Sequence, residues 1–255
     1  MKKLLTLMLA SIVVGGCARR MNPEHNNTAP VQASSPQVIA APSPRASAEK
    51  SKKEKSAPLE FKGVDFKNFT YPIARNPDVP KEFRKRFVAL KNGAFEFPDP
   101  KGLGGATYDL RDIDYIDLTG DGKPEAVVRL SQVFCGGSCD GGSDFFYFYV
   151  AGNRKPVLLS QIEFGSFAYN CGLKSFVLRN RRLELETFRS CRFDGVRFRP
   201  VYDGTETGGK FLTNRYTHFA LQFAGNRFVI IKRKVFEYPL EDYRSYEPKI
   251  EISND

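Results

Sequence analysis

The chain contains few of the residues on which most catalytic sites depend. It has no tryptophan, two histidines and three methionines among its 255 residues. His25 lies in a segment rich in Pro, Ala, Ser and Asn, so His218 is the only histidine of the part that can form a core. A serine hydrolase would have to use His218 as its base, and the sequence has no Gly-x-Ser-x-Gly elbow for the nucleophile. Because His218 lies in an alternating segment, it is interpreted as a packed or edge histidine, and the sequence predicts no catalytic residue.

The sequence also lacks an apolar run long enough to cross a bilayer as a helix. The N-terminal stretch 4–14 has eleven largely apolar residues. At about 1.5 Å per residue, a helix of that length spans only about half of a ~30 Å hydrocarbon core. Lys2 and Lys3 precede the stretch, and Gly15 and Gly16 follow it. A charged start, a short apolar core and small residues at its end are the pattern of a secretory signal peptide.

The residues at the end of this stretch resemble the processing site of bacterial lipoproteins. In that family an aliphatic residue and two small residues precede an invariable cysteine, and Val14, Gly15, Gly16 and Cys17 fit those positions, with Gly15 a less usual choice. The resemblance implies a diacylglyceryl group on the sulfur of Cys17, cleavage after Gly16 and acylation of the new amine. Two acyl chains hold a protein stably on a membrane. Ala18 stands where an Asp would retain a Gram-negative lipoprotein in the inner membrane, which favours the outer membrane, facing the periplasm. The alternative is an ordinary secreted protein with a chance cysteine.

The composition divides the chain into three parts. Residues 1–16 are the predicted signal peptide, and residues 17–57 form a Pro/Ala/Ser/Lys-rich linker without aromatic residues. Such a segment cannot bury enough apolar surface to offset its chain entropy, and about 40 residues of it reach roughly 35 Å. Residues 58–255 remain as one extracytoplasmic domain, which is long enough to bury a core.

The charge balance is basic, with a formal net charge of +10 that falls to +8 when residues 1–16, with Lys2 and Lys3, are removed. A basic chain often binds nucleic acid, but export takes this chain away from it. The acidic partners that remain are phospholipid head groups, lipopolysaccharide phosphates, teichoic or peptidoglycan carboxylates, and released DNA. The alternative is that the charge serves solubility alone. The basic clusters 179–182 and 232–234 are interpreted as solvated turn and edge residues.

No nucleotide site is predicted either. Residues 204–210 match the first seven positions of a P-loop, but Phe211 follows where a Ser or Thr must hold magnesium.

The rest of the chain predicts an all-β fold. Segments of alternating or continuous apolar residues are separated by short turns rich in Gly, Asn and Asp, which indicates an antiparallel meander in a sandwich, an open barrel or a strongly twisted sheet. The predicted strands are 59–71, 87–97 (a hairpin around Asn92-Gly93), 106–116, 125–134, 144–150, 156–164, 173–179, 182–188, 216–223 and 228–236. At most one or two short helices are expected, with 80–87 as the best candidate.

One loop carries a candidate metal site. Oxygen-bearing groups recur at alternate positions of 117–125 and a glycine stands sixth, as a calcium loop requires. The predicted ligands are Asp117, Thr119, Asp121, the carbonyl of Lys123, and Glu125. The loop resembles the Asp-rich loop of FG-GAP repeats, as in integrin α chains, and that resemblance implies a structural Ca²⁺; it departs from that pattern at Thr119 and Glu125 and in occurring once. The alternative is a turn whose Asp side chains bond their own loop amides.

Four cysteines follow Cys17, and an exported domain favours disulfides for them. Cys171 and Cys191 bracket a hairpin in which apolar matching pairs Leu178 with Leu183 around an Asn180-Arg181 turn. That register leaves the two cysteines one residue out of step, so a disulfide between them requires a bulge, for which Gly172 is the candidate. Cys135 and Cys139 would then close a small loop. A zinc site is the alternative for these four residues.

Three functional hypotheses follow. The first is a lipid-anchored, non-catalytic β domain that binds an envelope protein or an anionic envelope polymer, and the missing catalytic constellation favours it. The second is a hydrolase of peptidoglycan or glycan, whose two acids need no local motif. The third is a structural or inhibitory lipoprotein that inserts a loop, such as 136–142, into a foreign cleft.

Overall fold

The structure is a computed structural model, which describes residues 57–73, 86–98, 104–136, 141–165, 170–202, 212–242 and 246–254. Within these ranges the chain forms two 3-10 turns, Leu59–Phe61 and Phe66–Asn68, and fourteen strands. The strands are β1 Thr70–Pro72, β2 Phe87–Ala89, β3 Ala94–Pro98, β4 Gly104–Ile116, β5 Glu125–Gly136, β6 Gly141–Val150, β7 Val157–Phe164, β8 Leu173–Arg179, β9 Arg182–Phe188, β10 Cys191–Phe193, β11 Phe198–Pro200, β12 Leu212–Ala224, β13 Arg227–Asp242 and β14 Lys249–Ser253.

The strands build two five-stranded sheets. Sheet 1 has the order β3-β4-β5-β6-β7 and is an antiparallel meander, and sheet 2 has the order β13-β12-β9-β8-β14. One buried cluster draws its side chains from both sheets, so one face of each sheet packs against the other. The predicted all-β class is therefore confirmed, with the sandwich as its form.

The aromatic run 145–149 lies at the centre of this arrangement, in β6. Side chains alternate across a strand, and here both faces are buried. Phe146 and Phe148 point into the cluster shared with sheet 2, where the ring of Phe146 stacks on that of Phe176 with centroids 4.0 Å apart. Phe145, Tyr147 and Tyr149 point into a second cluster on the opposite face of sheet 1. A continuous apolar run is what a strand covered on both faces requires.

The N-terminal part of the domain covers that second face. Phe61, Phe66 and Tyr71 are each exposed by 2% or less. The hydroxyl of Tyr71 donates to the carbonyl of Phe66 at 2.7 Å, and that of Tyr147 donates to the carbonyl of Pro72 at 2.8 Å. These bonds satisfy the polar ends of rings that the cluster buries.

The prediction of a strand over 59–71 was largely wrong. Only Thr70–Pro72 is extended, and the two 3-10 turns precede it. Gly63 takes φ +84°, and the carboxylate of Asp65 accepts the amides of Lys67 and Asn68, which closes the second turn. The apolar residues whose alternation suggested a strand instead pack the two turns against sheet 1.

The Asn92-Gly93 turn forms, but its arms do not build the predicted hairpin. Both residues have positive φ, at 54° and 87°, as a two-residue hairpin turn prefers. The pairing stops at one bridge, between Lys91 and Ala94, because β2 joins β1 while β3 joins β4. The turn itself is fixed from outside, since the amide of Gly93 donates to the carbonyl of Lys67 at 2.8 Å.

Three strands were not predicted. β10 and β11 form a small antiparallel pair, and β14 joins sheet 2 beside β8 in parallel orientation. The parallel pair departs from the expected meander, because β14 lies at the edge of sheet 2 opposite β13, which precedes it in the chain. The helix predicted over 80–87 lies outside the described residues except for Arg86, which is a bend, and Phe87, which begins β2. No helix within the described ranges is long and apolar enough to cross a membrane.

The hairpin of β8 and β9 has the predicted register. Leu178 pairs with Leu183 around the turn at Asn180, and a disulfide joins Cys171 to Cys191 with their Cα atoms 6.1 Å apart. The bulge that brings the cysteines into step is at Lys174, not at Gly172 as predicted. The side chains of Cys135 and Cys139 lie outside the described residues.

The stacked pair Phe146–Phe176 provides a test of the sandwich. Replacing fully buried Phe176 with Ala removes a ring from the interface of the two sheets and should lower the free energy of unfolding by about 3–5 kcal/mol. The same change at Phe87, whose exposed fraction is 61%, should stay within about 1 kcal/mol. Chemical denaturation of both variants measures the difference, and equal losses would contradict the two-sheet interface.

Candidate functional site

The predicted calcium loop is closed by the carboxylate of Glu125, the first residue of β5. Glu125 is fully buried. Its Oε2 accepts the amides of Leu118 and Thr119 at 2.7 and 3.0 Å, and its Oε1 accepts the hydroxyl of Thr119 at 3.2 Å. Burial raises the pKa of the Glu125 carboxyl, and the hydrogen bonds from Thr119 and Leu118 act in the opposite direction.

The exposed half of the loop is held in the same way. The two carboxylate oxygens of Asp117 accept the amides of Gly120 and Gly122 at 2.7 and 3.0 Å. Oδ1 of Asp121 accepts the amide of Lys123 at 2.9 Å. Gly120 and Gly122 both have φ +82°, a conformation that glycine adopts without strain.

The carboxylate oxygens expected to bind calcium therefore accept hydrogen bonds from the loop's own amides. Among the described residues no group of three or more His, Cys, Asp or Glu side chains is arranged to hold a metal ion. The side chains as placed do not form a calcium site, because binding the ion would require Asp117 and Asp121 to turn from their amide partners. Calcium at this loop stays a prediction from the sequence.

The loop lies beside the β8–β9 turn. A Cβ added to Gly120 would lie 3.6 Å from Cδ and Nη1 of Arg181, so the arginine side chain extends over the loop. The end of β14 adjoins the same place, where Oδ1 of Asn254 accepts the amide of Asp117 at 3.1 Å. The Asp-rich loop and the arginine cluster are far apart in the sequence, and they meet at one corner of the sandwich.

The outer face of sheet 2 carries polar side chains in rows across the strands. One row places His218 between Lys234 and Glu186, and the row nearest the corner places Gln222 beside Arg182. At the opposite end the ring of Tyr216 stacks on the rings of Phe236 and Tyr238. Nζ of Lys174 lies 3.9 Å from the centroid of the Tyr216 ring, so the chain's own lysine covers that aromatic row.

A pocket of about 640 Å³ opens at the arginine end of this face. That volume is within the range of about 300–1,000 Å³ that is usual for small-molecule sites. Three arginines line it, Arg179, Arg181 and Arg182. The other lining residues are Val177, Asn180, Glu184 and Gln222.

The three arginines differ in how far their charge is compensated. Arg179 pairs with Glu251, its Nε donating at 3.2 Å, and Arg182 pairs with Glu184 at 2.7 Å. Each of these two arginines leaves 56% of its side chain exposed. Arg181 lies within ion-pair distance of no carboxylate in the described part of the chain, and its Nη2 donates weakly to the carbonyl of Phe223 at 3.4 Å. The pocket therefore has an excess of positive charge.

Among the described residues, the lining of the pocket has a single carboxylate. Glu184 is its one carboxylate, and its Oε2 lies 3.0 Å from Nε2 of His218 while its Oε1 pairs with Arg182. A glycosidase needs a second acid across the scissile bond, and no Ser, Thr or Cys lines the pocket as a nucleophile. His218 is thus an outer-face residue with a carboxylate partner, as an edge or packed histidine would be. The P-loop-like segment 204–210 lies outside the described residues.

Sequence reasoning found the arginines but not the pocket. The interpretation of the cluster 179–182 as a solvated turn agrees with the exposure of Arg179 and Arg182. It did not include the pocket that these arginines line. Glu184 lies on β9 with Arg182, and Gln222 completes the site from β12, where only the pairing of β12 with β9 places it beside Arg182.

The role of Glu125 can be tested by truncation. Glu125→Ala leaves two loop amides without an acceptor and should lower the free energy of unfolding by about 2–4 kcal/mol, whereas exposed Asp121→Ala should lose less than about 1 kcal/mol. Thermal melting of both variants and the wild type, with calcium and with chelator, measures this. Equal losses would contradict the closing role of Glu125.

The predicted calcium ion is tested by the same melting experiments. An increase in melting temperature with calcium that Asp117→Asn abolishes would establish the predicted ion.

Comparison with known proteins adds no assignment, because no family model, curated protein or solved structure matches the chain.

Proposed function

We propose that this protein is a lipid-anchored component of a bacterial cell envelope, and that its β domain is a non-catalytic module that binds an anionic envelope polymer. The observation that carries the proposal is the arginine-lined pocket on the outer face of sheet 2. The resemblance of residues 14–17 to a lipoprotein processing site is the basis for placing the protein in the cell envelope.

The charge distribution supports an anionic ligand. Salt at physiological strength screens charges beyond about 8 Å, so a net charge spread over a surface attracts little. Arg179, Arg181 and Arg182 instead act from one pocket, and guanidinium groups bind carboxylate and phosphate in forked geometry.

The single carboxylate of the pocket supports binding over catalysis. Glu184 is held by Arg182 and His218 rather than facing another acid. An envelope hydrolase, the second hypothesis, would need a pair of acids that this pocket does not supply.

The linker 17–57 supports a role at the membrane surface. With an r.m.s. reach of roughly 35 Å, it would let the domain search the polymer next to the membrane, on the periplasmic side of the outer membrane if the cell is Gram-negative. A tethered module gains effective concentration near its ligand without any new contact.

The anchor is tested by mass spectrometry of the mature protein. Wild type should begin at residue 17 and carry acyl chains on Cys17, because the sulfur is the group that is modified. Cys17→Ser should carry none, while Ala18→Ser, which keeps the cysteine, should be acylated as wild type. A wild-type protein that retains residues 1–16 and carries no acyl chains would contradict the proposed location in the cell envelope.

The ligand class is tested by co-sedimentation with isolated envelope polymers: peptidoglycan, lipopolysaccharide and teichoic acid. The mature, non-acylated Cys17→Ser chain should sediment with at least one of them, and the bound fraction should fall as salt is raised. Arg182→Glu should weaken binding about tenfold or more, because it replaces a charge-assisted hydrogen bond by repulsion. Arg192→Glu, an exposed arginine on β10, is the matched control and should have little effect. Binding to none of the polymers, or an equal loss in both variants, would contradict the proposal.

A further inference from the structure

We infer that the pocket beside the Asn180-Arg181 turn binds a saccharide unit that carries an anionic substituent, either a phosphate or a carboxylate. The inference rests on the proposed function and narrows it, because it names the part of the polymer that the domain recognises. It comes from the whole lining of the pocket rather than from its arginines alone.

The arginines form the anion-binding end. Arg181 has no carboxylate partner in the described part of the chain, and its side chain is supported by the loop at Gly120. Arg179 and Arg182 each have a carboxylate partner and a largely exposed guanidinium, so they can share their donors with a second anion. The three arginines therefore line one pocket, with Arg181 as the member whose charge has no carboxylate partner among the described residues.

The size of the pocket argues against a bare ion as its ligand. The pocket has a volume of about 640 Å³. One phosphate or carboxylate group would leave most of that space to solvent, so a ligand that fills the pocket extends beyond its charged group.

The remaining lining residues match the rest of a sugar. Asn180 and Gln222 present amides, and Glu184 presents carboxylate oxygens, so together they offer donors and acceptors for hydroxyl groups. Val177 adds an apolar surface on which the C–H face of a sugar ring can pack. A fatty acyl chain would leave these polar groups without partners, at a cost that a hydroxylated ligand avoids.

The turn that displays the arginines is fixed on both sides. The carbonyl of Arg181 accepts the amide of Phe223 at 2.8 Å, and the amide of Asn180 donates to the carbonyl of Ser253 at 3.4 Å. Asn180 itself has φ 51°, the left-handed conformation in which asparagine is common. A pre-ordered turn loses less entropy on binding than a free one.

The inference is tested by titration calorimetry at low salt with the mature Cys17→Ser chain. The probes are glucose 1-phosphate, glucuronic acid, glucose and inorganic phosphate. At least one of the two anionic sugars should bind about tenfold or more tightly than glucose and than phosphate, since it alone engages both ends of the pocket. Tighter binding of glucose 1-phosphate assigns a phosphorylated unit, and tighter binding of glucuronic acid assigns a carboxylated one.

Two variants separate the two ends of the pocket. Arg181→Ala should weaken anionic sugars and phosphate alike, by about tenfold or more. Gln222→Ala should weaken only the anionic sugars, by about three- to tenfold, since it removes a hydroxyl partner. Arg192→Ala is the matched control, for which we expect unchanged affinities.

The inference fails if neither anionic sugar binds more tightly than both phosphate and glucose, or if Gln222→Ala leaves every affinity unchanged. Its failure is distinguishable from that of the proposed function. If the domain sediments with a polymer through Arg182 but binds none of the saccharides, only the inference is overturned. If it neither sediments with a polymer nor binds a saccharide, the inference and the proposed function are both overturned.

Discussion

The burial of β6 on both of its faces is the constraint on which the rest of the domain depends. Phe146 and Phe148 require sheet 2 as a cover, and Phe145, Tyr147 and Tyr149 require the N-terminal turns and β1–β2 on the other side. Aromatic rings of this size contribute most of the apolar area that such a core removes from water. Because sheet 1 is covered twice, the polar rows lie on the outer face of sheet 2, which places the candidate site there.

A second set of interactions fixes the corner that carries the pocket. The buried carboxylate of Glu125 and the half-buried one of Asp117 satisfy four backbone amides of the 117–125 loop. Carboxylates that accept several amides form strong, charge-assisted hydrogen bonds. The side chain of Arg181 lies against this loop at Gly120. The motif predicted to hold a metal therefore adjoins a cationic side chain in this structure.

The proposed anchor and the pocket would be complementary in physical terms. The proposed lipid anchor and a linker of about 40 residues would restrict the domain to a shell near the membrane, where a modest intrinsic affinity would suffice. Three clustered guanidinium groups provide a short-range attraction that salt does not erase as readily as a dispersed net charge. The proposed ligand, an anionic saccharide of the envelope, lies within that shell.

The sequence by itself determined the local features, which depend on residues close to one another in the chain. The extents of β8 and β9, their register and the Asn180-Arg181 turn follow from apolar matching and turn chemistry, and the buried character of β6 follows from its aromatic run. The two disulfide-bonded cysteines followed from their positions around that hairpin. All-β class was likewise evident, because short turns leave no room for crossover helices.

Tertiary structure alone decided the features that join distant parts of the chain. The parallel addition of β14, the divergence of β2 and β3 after Asn92-Gly93, and the bulge at Lys174 each depend on which surface remained to be covered. The meeting of Gly120 with Arg181 is of the same kind. Periodicity and turn residues report on a strand and its next neighbour, whereas the pocket arises from strands and loops brought together by burial of a common core.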